Sequence, residues 1–280
     1  NADGPLRLDP IDPLTMPIVS VIITCYNLGG YLQEAIDSIP ASLGGSATEV
    51  IIVDDGSTDP LTRKVLEGID RTRYIVLEQA NTGLGKARNN GIARASGTYI
   101  IPLDADNRLN SAGVEQAVTL LEARSEVDIV YGHATYFGER NGPWIVGEYD
   151  FRRLLRKNYI DACACFRRSL WERVGGYDEH MPHMGWEDWD LWLRASAAGM
   201  TFHHLGSVFF HYRVRQGSMI EGTNAHAEEL TAYIFNKPAL RFLDRLRADY
   251  MHLREEANNS LGVRGALKLA ADRLLRSRKN

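Results

Sequence analysis

Asp104-Ala105-Asp106 follows an apolar run, Tyr99 to Leu103, in a chain of 280 residues. In an extended chain residues i and i+2 point to the same side, so the two carboxylates converge. Such a pair suits Mg²⁺ or Mn²⁺, hard cations that take oxygen ligands and bind through one or two carboxylates plus a diphosphate. An isolated Asp-x-Asp is common, and two exposed loop acids would also produce it; its place behind a buried strand gives it weight. A second acidic pair, Glu187-Asp188, follows Gly185-Trp186 and opens a stretch in which Trp189, Trp192, Leu193 and Ser196 recur at helical spacing. Acids in a first helical turn can simply complement the helix dipole. They can also supply a general base that takes a hydroxyl proton.

Three further constellations carry polar chemistry. In Val53-Asp54-Asp55-Gly56-Ser57-Thr58-Asp59 a carboxylate at a strand end can accept from the N–H groups of a uracil or a guanine, and Gly56 permits a tight turn. A strand-to-helix turn with a capping residue is the plainer explanation. In Asn81-Thr82-Gly83-Leu84-Gly85-Lys86-Ala87-Arg88-Asn89 the glycines allow close backbone approach to a nucleotide. Arg88 can pair with Asp104 or another strand-end acid, for structure or for binding. In Phe210-His211-Tyr212-Arg213-Val214-Arg215, read as following an apolar strand, Arg213 and Arg215 can neutralise a departing diphosphate. His211 is a candidate metal ligand, although a lone strand histidine is more often a packing residue.

These groups need a frame that brings them together. Ile18 to Thr24, Val50 to Val53, Arg73 to Leu77, Tyr99 to Leu103 and Asp128 to Tyr131 read as strands. Tyr31 to Ile39, a segment opened by Ser57-Thr58-Asp59-Pro60, Gly85 to Ala95 and Ala112 to Arg124 read as helices. Alternation of this kind predicts an α/β fold with a mostly parallel central sheet flanked by helices. Ligands of such sheets bind beyond the carboxyl ends of the strands, where Asn27, Asp54, Asp55, Asn81, Asp104 and Asp106 all fall. From Asn224 onward the pattern is helical, with Tyr233, Leu240, Leu243, Leu246, Met251 and Leu253 on apolar stripes.

Composition narrows the class. With 44% hydrophobic and 24% charged residues the chain is globular, and a formal charge of −4 argues against a nucleic-acid binder. Cys25, Cys163 and Cys165 match neither a disulfide framework nor a zinc spacing and are expected to be reduced thiols, the last two on one face of a strand. No apolar run approaches the roughly 20 residues of a membrane span, and residues 1–17 lack the apolar centre of a signal peptide. A cytoplasmic location is expected. The chain lacks a Gly-x-x-x-x-Gly-Lys-Ser/Thr phosphate loop, and it lacks a Gly-x-Gly-x-x-Gly after the first strand, which argues against a dinucleotide oxidoreductase.

Taken in order, Val19 to Asn27, Val53 to Asp59, Asn81-Thr82-Gly83 with Ala87-Arg88-Asn89, Asp104-Ala105-Asp106 and Gly185-Trp186-Glu187-Asp188 resemble the family 2 glycosyltransferases of GT-A fold. The resemblance runs from about Pro17 to Ser218. It implies a GT-A nucleotide-diphospho-sugar transferase fold, a nucleotide-diphosphate-sugar donor with uridine as the leading base, a Mn²⁺ or Mg²⁺ cofactor, and inversion at the anomeric carbon. By matching position it implies that Thr24, Tyr26 and Asp55 hold base and ribose, with Asn27, Asp54, Asn81, Gly83 and Arg88 alongside. Asp104, Ala105 and Asp106 fall on the metal and diphosphate motif, and Asp188 falls on the catalytic base, with Glu187 beside it. Gly185, Trp186 and His183 are expected on the acceptor side, where the rings suit stacking on a sugar. Many members carry a histidine where Arg215 stands here, so Arg215 is expected to contact the diphosphate, and His211 is the nearest histidine for the metal.

The implied reaction is sugar transfer to the hydroxyl of a carbohydrate or glycoconjugate acceptor, with no nucleic-acid partner. A non-catalytic nucleotide-sugar-binding module and a sugar nucleotidyltransferase are the rivals. The expected organisation is a lead-in at 1–16, a catalytic domain at 17–220 divided into a nucleotide-binding half (17–106) and an acceptor half (107–220), and a helical C-terminal extension at 221–280. The basic amphipathic stretch Leu261 to Lys279 reads as a solvated helix packed on the domain; contact with an anionic membrane, peripherally at its inner face, or with a partner is its sharper alternative.

Overall fold

A computed structural model describes residues 18–216 and 222–255. The expected lead-in at 1–16 and the basic stretch 261–279 lie outside the described residues.

The first strand, β1 (Val19–Cys25), is buried along its whole length. Its apolar side chains divide between two cores, because successive residues of a strand face opposite ways. Ile22 joins one cluster with Ile51, Val53 and Ile100, whereas Val21 and Ile23 join the other with Ile52, Ile101 and Leu103. After α1 (Gly29–Asp37) and a small hairpin, β2 (Ser42–Leu43) with β3 (Ser46–Ala47), the chain returns as β4 (Glu49–Asp54). Helix α2 (Pro60–Glu67) starts as its sequence directs: Asp59 accepts from the Thr62 backbone N–H at 2.8 Å, and Pro60 occupies the first turn. β5 (Ile75–Glu78), α3 (Leu84–Arg94) and β6 (Tyr99–Asp104) complete the first half.

β5, β4, β1 and β6 are adjacent and parallel. Beyond them the sheet is mixed. β7 (Arg108–Leu109) and α4 (Ser111–Ala123) lead to the long β8 (Ile129–Gly138) and to β9 (Gly142–Trp144). α5 (Phe151–Arg156), β10 (Cys165–Arg167), α6 (Arg168–Val174), α7 (Glu187–Ala197) and β11 (Phe202–Val214) follow. β10 is wedged antiparallel between β6 and β8, β11 runs parallel to β8, and β7 pairs antiparallel with β11. The resulting sheet has nine strands, flanked by helices as expected.

A short 3₁₀ turn (Asn224–His226), α8 (Ala227–Asn236) and a helix over 241–255 end the described chain. Leu240 and Leu243 of this region are buried, but Leu246, Met251 and Leu253 are exposed, so the expected apolar stripe is used only in part. Cys163 and Cys165 are free thiols buried in the same core cluster. Among the described residues no helix is long and apolar enough to cross a membrane.

Candidate active site

A cleft of about 420 Å³ opens beyond the carboxyl ends of β1, β4 and β6 and is closed on its far side by the start of α7. Asp104 and Asp106 line this one cavity together with Asp188, which is distant from them in sequence. Strand β6 ends at Asp104, and a turn closed by the Asn107 N–H donating to the Asp104 carbonyl at 2.9 Å, rather than the extended backbone expected, carries Asp106 into the same cleft. Ala105 between them turns the other way, fully buried in the opposite core.

The two acids are held by arginines from different elements. Arg88, on α3, is 3% exposed and donates to Asp104 Oδ1 at 2.9 Å. It can sit there because two glycines seat α3 closely. A Cβ on Gly91 would lie 2.3 Å from Ile22 Cγ2, and one on Gly85 would lie 2.5 Å from the Asp178 carbonyl oxygen. Arg215 donates through Nε to Asp106 Oδ2 at 2.7 Å. Burial, and after it the neighbouring Asp104 charge, raises the pKa of Asp106. Arg213 also borders the cleft, but its guanidinium is tied to Glu34 and to the Asp106 carbonyl (2.9 Å), and it stacks 4.5 Å over Tyr31.

The nucleotide-side candidates fall into two groups. Thr24, Tyr26 and Asn81 line the cleft, and Tyr26 is 45% exposed at its mouth. Asp55 and Asn27 also border it, but they spend acceptor capacity on the framework. Asp55 accepts from the backbone N–H groups of Thr82 (2.9 Å) and Gly83 (3.0 Å), which pins the 81–83 loop. Asn27 adopts a left-handed φ of 55° and accepts from the N–H groups of Thr58 and Asp59, both at 2.8 Å. Asp54 does not line the cavity; it accepts from Ser57 N–H at 3.0 Å inside the turn. Gly83 also stays outside the lining and precedes α3 with a φ of +96°.

On the opposite wall, Asp188 accepts from Asn158 Nδ2 at 2.7 Å and from the Trp189 N–H at 2.7 Å. Burial first, and the nearby Asp161 carboxylate second, push its pKa up to about 8. Glu187 lines the cleft, is 2% exposed, and accepts from Gly185 N–H at 2.8 Å. Burial raises its pKa. Gly185 borders the cavity with a φ of +113°, and Thr223 fills the space a Cβ would need. Trp186 instead packs edge-on against Trp189, with ring centroids 5.0 Å apart, and His183 pairs with Glu229 and His226 away from the cleft.

His211 departs from expectation. β11 runs on through Val214, so His211 lies inside the strand and not after it, opposite Thr135 of β8. Its ring Nδ1 hydrogen-bonds the Thr135 hydroxyl, and it does not line the cleft.

Sequence reasoning missed Asp161. It lies in the cleft, accepts from Cys163 N–H at 2.8 Å, and has its pKa raised to about 7 by burial and then by Asp104. A solitary acid in an irregular stretch carries no pattern. Tyr212 and Met184 also line the cleft unannounced.

Six carboxylates (Asp55, Asp104, Asp106, Asp161, Glu187, Asp188) thus face three guanidinium groups (Arg88, Arg213, Arg215). The arginine pairs engage Oδ1 of Asp104 and Oδ2 of Asp106, one oxygen of each. An acid-rich, all-oxygen donor set of this kind fits a hard divalent cation.

The profile described as Glycosyl transferase family 2 matches residues 20–175, more than half of the chain. The chain belongs to glycosyl transferase family 2. A second profile, described as the N-terminal domain of galactosyltransferase, matches residues 151–221. Among curated family 2 relatives, the chondroitin synthase of Escherichia coli is 29% identical over 211 residues, 72% of this chain. The chain spans only 29% of that synthase's length. Staphylococcus aureus TarS (1–349) in complex with UDP-GlcNAc superposes with a TM-score of 0.64 at 19% identity, covering 83% of this chain and 71% of that one. A mannosyltransferase from Pyrobaculum calidifontis, in complex with GDP-Man and Mn²⁺, gives a TM-score of 0.56 at 22% identity, covering 81% of this chain and 65% of the other. These likenesses establish the GT-A architecture of this family 2 glycosyltransferase.

Proposed function

We propose that the chain transfers a sugar, with inversion, from a nucleoside-diphosphate donor, uridine being the leading base, to a hydroxyl of a carbohydrate or glycoconjugate acceptor. The observation that carries this reading is the meeting of Asp104, Asp106 and Asp188 in one cleft, the first two behind a buried strand and the third on the facing wall. The complexes of the two structural neighbours, with UDP-GlcNAc and with GDP-Man and Mn²⁺, support a nucleotide-sugar donor and a divalent cation.

Asp104 and Asp106 would hold Mn²⁺ or Mg²⁺, which supplies positive charge for the diphosphate when bound. Thr24, Tyr26 and Asn81 border the space for base and ribose, and Asp55 and Asn27 shape its floor through the loops they pin. Asp188, oriented by Asn158, takes the acceptor hydroxyl proton. The acceptor oxygen forms its bond to the anomeric carbon as the bond from that carbon to the diphosphate oxygen breaks, and the proton stays on Asp188. Arg215 and Arg88 offer charge-assisted donors to the departing oxygens. Gly185 borders the acceptor side, and catalysis belongs to residues 17–220.

A panel of nucleotide sugars tested by thermal shift, with and without Mn²⁺, checks the donor. The reading requires a UDP-sugar to stabilise the protein in a Mn²⁺-dependent way. Stabilisation by no nucleotide sugar would reject it.

A further inference from the structure

We infer that His183, His226 and Glu229 form a second divalent-metal site, of zinc type, outside the cleft. It would clamp the loop carrying Met184 and Gly185 to the start of the C-terminal helices. The inference does not rest on the proposed transfer reaction.

Among the described residues, these three are the one group of metal-ligating side chains whose donor atoms all lie within 4.8 Å of one another. His183 Nε2 is 2.9 Å from Glu229 Oε2, and His226 Nδ1 is 3.7 Å from the same oxygen. The two imidazoles lie face to face, with ring centroids 3.6 Å apart and planes 13° from parallel. Zinc bonds to histidine and carboxylate measure about 2.0–2.2 Å, so a tetrahedral ion spaces its ligand atoms roughly 3.4 Å apart. The two separations bracket that figure, but an ion lies in the plane of each imidazole that binds it, so the exposed His226 ring must turn out of the stack to aim its nitrogen at an ion shared with His183 and Glu229. Water has access to the fourth position.

Ligand chemistry separates this group from the cleft. Two imidazoles and one carboxylate suit Zn²⁺ or Ni²⁺, whereas an all-carboxylate set suits Mg²⁺ and Mn²⁺. The position also has a structural sense. His183 comes from the loop before α7, and His226 and Glu229 come from the 3₁₀ turn and first turn of α8. The same two segments are already joined where Thr223 Oγ1 donates to the Met184 carbonyl at 2.7 Å. An ion at the three ligands would fix that junction from its solvent side, next to two residues that line the cleft.

The test is calorimetric titration of the full chain with Zn²⁺, comparing the unaltered protein with His226→Ala, Glu229→Gln, His180→Ala and the cleft variant Asp106→Ala. We expect one Zn²⁺ site that survives in Asp106→Ala and in His180→Ala, an exposed histidine outside the group. His226→Ala and Glu229→Gln should weaken it by more than about 100-fold, beyond the loss an outer-shell partner causes. Thermal unfolding in chelator should be the same for His226→Ala and the unaltered protein, so that lost binding is not lost folding. Absence of a Zn²⁺ site in the unaltered chain, or a site abolished by Asp106→Ala and kept by His226→Ala and Glu229→Gln, overturns the inference.

Discussion

Asp188→Asn removes the capacity to take a proton while keeping the shape of the side chain. Positioned general-base catalysis is worth about 100- to 10,000-fold, or roughly 2.7–5.5 kcal/mol of barrier at ~1.36 kcal/mol per decade. The substitution has a small structural cost. Asp188 accepts from both Asn158 Nδ2 and the Trp189 N–H. An asparagine presents one oxygen and one NH₂, so it keeps one of these bonds and loses the other, at about 1 kcal/mol. The pH dependence provides an independent check. With a folded pKa of about 8, Asp188 retains a proton that the unfolded chain has already released. Its contribution to stability therefore declines as pH rises from about 4 to about 8, by at most ~1.4 kcal/mol per pH unit, and is level above that window. The asparagine variant lacks this decline. The assays are single-turnover transfer at saturating donor and acceptor, donor affinity by calorimetry, and thermal midpoints at acid and alkaline pH. Donor affinity should be unchanged, and the variant should gain stability relative to the unaltered protein as pH rises. Turnover near the unaltered rate would refute the assignment of Asp188 as base.

For Asp106→Ala we expect loss of Mn²⁺-dependent donor binding; calorimetry showing the same affinity with and without the substitution would contradict it. Asp161→Asn should move the acid limb of the kcat/KM profile to lower pH, because the Asp161 charge is the largest influence after burial that raises Asp188. An unmoved limb would mean that the two carboxyls do not communicate. Gly91→Ala forces a Cβ to within 2.3 Å of Ile22 Cγ2, an overpacking that costs about 1–3 kcal/mol and outweighs the gain in helix propensity; urea unfolding showing equal or greater stability would show that α3 is not seated by this glycine.

The sequence made the parallel half of the sheet legible because buried strands there are short apolar runs, each followed by a polar residue. The same regularity exposed Asp104 and Asp106, whereas Asp188 was legible from the acidic pair that opens an amphipathic helix and from the family resemblance. The second half was harder for a physical reason. β11 continues through His211, Tyr212 and Arg213 into Val214, and such aromatic and β-branched residues are favourable in strands whatever their polarity, so the end of the strand left no mark. That is why His211 looked available and instead bonds across to Thr135. Asp54, Asp55 and Asn27 resembled ligand contacts because Asp and Asn are also the residues that turns select to hold backbone N–H groups. Here they do that holding, Asp55 and Asn27 while also bordering the cleft. Asp161 needed the fold itself, since only the wedging of β10 between β6 and β8 brings its segment to the site.

With pKa values raised to about 7 and about 8, Asp161 and Asp188 each exchange a hydrogen ion with solvent near neutrality, and only the ionised fraction of Asp188 can serve as base. Positive charge entering the cleft favours the ionised forms, so uptake of a cation should acidify a weakly buffered solution. The heat of that uptake then varies with the ionisation enthalpy of the buffer chosen.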